Sequence, residues 1–175
     1  MAYGTVKTDN LIFDDSGDQT LSVSGIATKA SPLFTGSIEF NGQLKEAVVI
    51  EAAKLSDTNK QDLNIESGNV FLFTTAESTT STPNLRYNAS TTLDSKMAVG
   101  DCLSVTLITT ANASAFCAQL TIDDAAVTEL WTGGSAPAGG GSSGVDIHAY
   151  TIIKTGTSGT YTNDYTVIAN HTKTS

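Results

Sequence analysis

The side chains able to do chemistry are few and scattered. His148 lies in DIHAY and His171 in NHTKTS, the thiols are Cys102 and Cys117, and the adjacent acids are Asp14-Asp15 and Asp123-Asp124. Neither histidine belongs to an HExxH helix, no GxSxG elbow offers a nucleophile, and the cysteines and histidines lack zinc-ligand spacing. Without partners, His148 on a strand and His171 in a tail read as solvent-facing residues. The acidic pairs lack the D-x-[DN]-x-[DN]-G calcium pattern, so they read as turn residues whose carboxylates bond nearby backbone. GGSAPAGGG has neither the lysine nor the following helix of a phosphate loop. Glycan hydrolysis would need two carboxylates facing a cleft, and no spacing specifies such a pair. The sequence therefore predicts no catalytic residue, no cofactor and no metal, and the chain reads as a non-enzyme.

Charge narrows the partners. The 175 residues carry 9 Lys and Arg against 18 Asp and Glu, a net charge of -9, and Arg86 is the one arginine. Gripping a nucleic-acid backbone depends on clustered cations that release counterions, and the lysines here are dispersed, so no nucleic acid is expected as a partner. No apolar run approaches the ~20 residues of a membrane span, and MAYGTVKTDN has no apolar signal segment, so no membrane is expected and the chain is predicted to be made in a cytoplasm. In that reducing setting the two cysteines are expected as free thiols. Asn88-Ala-Ser, Asn112-Ala-Ser and Asn170-His-Thr match glycosylation acceptors only by chance in such a compartment.

Positioning falls to strands. Only 39% of residues are apolar and 15% charged, the remainder being rich in Thr, Ser, Asn and Gly, a composition that favours strands and turns. Residues 1–36 read as an extended arm without large apolar content, ending at KASPLFTG. Its apolar residues, Tyr3, Val6, Leu11, Ile12, Phe13, Leu21 and Val23, are the candidate partner-binding set. Asn41-Gly42 predicts a hairpin turn. Val48, Val49 and Ile50 predict a strand, although Leu44, Val48, Ala52 and Leu55 also fall near helical spacing. From Asn69 onward, NVFLFTT, NLRYNAS, CLSVTLITT, AFCAQLTID, VTELW, DIHAYTIIK and YTVIAN recur as short strands between turns. Leu103, Val105 and Leu107 share one face, as do Phe116, Ala118, Leu120 and Ile122, which predicts a hairpin around ANAS with Cys102 opposite Thr121 and Cys117 opposite Thr106. Residues 133–144 predict a long surface loop before a strand carrying Ile147, Ile152 and Ile153. Trp131 is expected to close one end of the core. The sum is an all-β fold, an antiparallel β-sandwich, jelly-roll-like, over 37–175 with the arm at 1–36.

The segment from Leu120 to Thr162 carries Ile122-Asp123, Trp131, Gly133-Gly134-Ser135-Ala136-Pro137, Asp146 and Ile153-Lys154-Thr155-Gly156 in that order. With the opening MAYGTVKTDNLIF, DQTLSVSG and PLFTG, this resembles structural proteins of marine tailed phages, especially those of cyanobacteria. The resemblance covers both ends of the chain and supplies no catalytic residues. It implies a virion protein, on the outer surface of the head, acting as a capsid decoration or cement protein. Its arm would bind the major capsid protein, and it would associate with itself as a homotrimer. The same resemblance allows a tail-fibre or adhesion component that binds host-surface glycan through residues 133–144 and Trp131.

Overall fold

The computed structural model describes residues 43, 45–57 and 61–174. The chain divides into Met1–Gln43 and Leu44–Ser175, and the fold below is that of the second unit. The arm, its candidate residues Tyr3, Val6, Leu11, Ile12, Phe13, Leu21 and Val23, Asp14-Asp15 and the Asn41-Gly42 turn lie outside the described residues.

Six strands occur in pairs that alternate between two sheets. β1 (Val48–Glu51), β3 (Val70–Ala76) and β5 (Cys102–Thr110) enter one sheet, while β2 (Asp62–Asn64), β4 (Asn84–Arg86) and β6 (Thr121–Ile122) enter the other. Val48 pairs with Val70 and Asp62 with Asn84, so β3 and β4 repeat β1 and β2 one coil further along the chain. Because every link crosses to the opposite sheet, successive strands of one sheet run the same way, and β1‖β3‖β5 and β2‖β4‖β6 are parallel. The winding ends in antiparallel pairs. β7 (Ala125–Ala126) folds back on β6, while β9 (Val145–Lys154) pairs with β5 and with β10 (Tyr165–Lys173), which receives β8 (Glu129–Trp131) in parallel. A helical turn, α1 (Tyr161–Asp164), leads into β10.

The fold is thus largely β, in two mixed sheets of six and four strands. The antiparallel expectation holds for β5–β9–β10 and for β6–β7, and fails for the coils. The β-branched run at Val48 forms a strand, and Leu103, Val105 and Leu107 share the inward face of β5 as their alternation requires. The hairpin around ANAS does not form. Asn112 and Ala115 make the turn, but Cys117 then bridges Ser81 and the chain crosses to the second sheet. The free edge of β5 goes to β9, which matches all of its residues from Cys102 to Thr110, a longer ladder than Phe116–Ile122 could supply.

One core joins the sheets. Phe71, Phe73, Val105, Leu107, Tyr150, Ile152 and Val167 from the larger sheet meet Leu63, Leu85 and Ile122 from the smaller, all at most 3% exposed in that cluster. Full burial of each such side chain contributes about 1.5–3 kcal/mol. Polar groups tie the loops to this core. The Glu77 carboxylate accepts the backbone N–H of Leu55 at 2.8 Å and of Ser56 at 2.9 Å, and so caps the short helical turn Leu55–Asp57.

Candidate assembly face

Strand alternation gives the six-stranded sheet an inner and an outer face, and β9 divides its residues between them unexpectedly. Asp146, His148, Tyr150, Ile152 and Lys154 point inward and are buried, while Val145, Ile147, Ala149, Thr151 and Ile153 point outward. The outward set is the more apolar. The sequence reading counted Ile147 and Ile153 with Ile152 as one apolar signal, but the period of two places them on opposite faces.

Register extends that outward set across the sheet. Ile50, Leu72, Ile108 and Ile147 stand side by side on four neighbouring strands, and Ile168 faces Leu130 on the last two. Val48, Ile50, Leu130 and Ile168 are exposed by 47%, 66%, 56% and 39%, and of the large apolar side chains exposed among the described residues only Val99 lies off these strands. No charged residue points outward from any of the six strands; the remaining outward positions carry Val70 and Ala, Ser, Thr, Cys or Asn. On a chain of net charge -9, this sheet face is free of charge, with exposed aliphatic side chains set among Ala, Ser, Thr, Cys and Asn.

The histidines and Asp146 lie behind this face rather than on it. His148 is 0% exposed, against the solvent-facing expectation. Its ring stacks on that of His171 with centroids 4.3 Å apart and planes 9° apart, because β10 carries His171 into register with His148 instead of leaving it in a tail. His171 Nε2 lies 3.8 Å from Asp146 Oδ1, and both Asp146 oxygens accept the Gly141 N–H at 2.9 Å. Neither ring nitrogen of His148 has a hydrogen-bond partner. Burial, reinforced by the neighbouring His171, pushes the His148 pKa down to about 3. Burial also lowers that of His171, with Asp146 opposing. Both rings are held neutral. Among the described residues no group of three or more His, Cys, Asp or Glu is placed to hold a metal ion.

The other candidates serve as fastenings. Asp123 and Asp124 form the β6–β7 turn with φ of 49° and 69°. Asp123 Oδ1 and Oδ2 accept the N–H groups of Leu93 and Asp94 at 2.7 and 2.8 Å, and Asp124 pairs with Arg86 at 2.9 Å. Lys154, buried at the end of β9, reaches Asp94 at 2.8 Å, and the hydrogen bond from Lys154 holds the Asp94 carboxyl below its ordinary range despite partial burial. Cys117 Sγ lies 3.1 Å from Tyr150 Oη, and burial pushes its thiol up to about 12 against that hydrogen bond. Cys102 is exposed on the outer face, and both cysteines are free.

The glycan-binding candidates separate. Trp131 is half-buried against the core and meets Tyr150 edge-on at 6.4 Å, as a core-closing ring does. Gly133 and Gly134, with φ of 93° and 89°, then turn the chain away. The 133–144 loop is exposed at both ends and tucked in at 139–141: Gly140 donates to Ala113 O, and a Cβ at Gly140 would collide with Asn112 O.

No protein-family model matches the chain, and neither the curated proteins nor the solved structures contain a match. Among the described residues no helix is long and apolar enough to cross a membrane. The larger sheet presents an uncharged outer face and buries Asp146 and His148 on its inner side.

Proposed function

We propose that this chain is a structural protein of a tailed-phage particle, and more narrowly a capsid decoration or cement protein. It works by docking, with its N-terminal arm on the major capsid protein and its β-domain standing on the head surface. A two-sheet sandwich, mixed in direction, is the scaffold in this reading, and a homotrimer is its assembled form. The carrying observation is the uncharged outer face of the six-stranded sheet on an otherwise acidic chain. Catalysis has no use for such a face, whereas a lattice protein needs surfaces that exclude water against a neighbour. The resemblance of both chain ends to marine tailed-phage structural proteins points the same way. Multivalent attachment at a shell's symmetry axes turns modest single contacts into firm retention.

Quantitative mass spectrometry of purified virions, normalised to the major capsid protein, tests the proposal. A decoration protein is present at on the order of hundreds of copies, as a symmetric shell requires. A few copies would place it in the tail and overturn the decoration reading, and its absence would overturn the virion reading.

A further inference from the structure

We propose that the outer face of the six-stranded sheet is covered by a further copy of this same chain. This rests on reading the face as an assembly surface, and it names the occupant and the contact.

The first argument is the inverted pattern of β9. A strand covered on one side places its apolar residues there and its polar residues in water. In β9 the inward side holds Asp146, His148 and Lys154 with Tyr150 and Ile152, and the outward side holds Val145, Ile147 and Ile153 with Ala149 and Thr151. Such a strand belongs to a sheet covered on both faces. The smaller sheet covers the inner one, and nothing among the described residues covers the outer.

Charge selects the occupant. Two copies, each of net charge -9, repel wherever acidic surfaces meet. The outer face brings no carboxylate toward its partner, so it offers like chains a contact free of that repulsion. The Ile50–Leu72–Ile108–Ile147 row is built of side chains of similar size and carries no charge to desolvate, which suits packing against a further copy.

Area agrees. The 42 residues of the six strands, each taking ~3.3 Å of rise by ~4.8 Å of strand spacing, span roughly 700 Å². That is close to the ~800 Å² per partner of a standard stable interface. In a trimer each sheet would be shared between two neighbours, and in a dimer two sheets would stack whole.

Light scattering on the purified full chain tests this without reference to any particle. The chain should run as an oligomer, and Ile108→Lys, which sets an ammonium in the middle of the row, should return it to the 18.1 kDa monomer. Ile50→Lys, at a position already 66% exposed, keeps the test open should Ile108→Lys fail to fold. Ala126→Lys, at an exposed position of the smaller sheet, should leave the oligomer intact. Cys102, on the same face, gives a second readout: its labelling by a thiol reagent should be at least tenfold faster in the lysine variants than in the native oligomer. A monomeric native chain, or an oligomer of unchanged size in both Ile variants, would overturn the proposal. Either result can be had whatever the copy number in virions.

Discussion

At the scale of single residues, the buried histidines link stability to pH. The His148 pKa is about 3 in the fold, against 6.5 for an exposed histidine, so between these values the unfolded chain binds the proton and the folded chain does not. Stability from the neutral ring is therefore complete above pH 6.5 and is lost as pH falls toward 3, at about 1.4 kcal/mol per unit. The depressed His171 adds in the same direction. We expect urea unfolding to give about 2 kcal/mol less stability at pH 5 than at pH 7, and His148→Phe to remove most of that difference. An unchanged slope in the variant would show that other groups carry it. Cys117 is predicted to resist alkylation in the folded chain, because burial beside Tyr150 suppresses its thiolate. Mass spectrometry should find Cys117 modified only after denaturation, including in Ile108→Lys, where Cys102 reacts freely.

At the scale of elements, the β6–β7 turn does more than reverse the chain. Asp123 holds the backbone of Leu93 and Asp94 through two short bonds, and Asp123→Ala would leave both N–H groups unpaired. A loss of about 2–3 kcal/mol is expected, measurable as a lower denaturant midpoint with an unchanged m-value. Asp123 and Asp124 were legible as turn residues, since short acids at a turn bond the backbone and tolerate positive φ. The face of β5 was legible too, because Leu103, Val105 and Leu107 alternate cleanly. β9 was not. Both its faces carry apolar residues, so alternation alone could not say that His148 goes in and Ile147 out. The turn at Asn112 was also readable, but a turn does not tell which sheet receives the strand that follows it.

At the scale of the whole molecule, the outer face is invisible in the sequence because no strand contains it. Ile50, Leu72, Ile108 and Ile147 lie far apart in the chain, and parallel winding brings them into one row. A scan for contiguous apolar segments finds four unremarkable strands, whereas the register finds a surface. His148 and His171 meet by the same means, through the β9–β10 ladder. Sequence order thus gave the elements and many of their faces, and what lay beyond it was the pairing partner of each strand.

The position of β10 has a consequence in time. β8 joins the sheet only by pairing with β10, which leaves the ribosome after the 133–144 loop, β9 and the helical turn. Until then Leu130 has no neighbour, the second edge of β9 is open and His148 has no ring to stack on. A chain still being translated therefore lacks two of the six strands on which copies are proposed to meet.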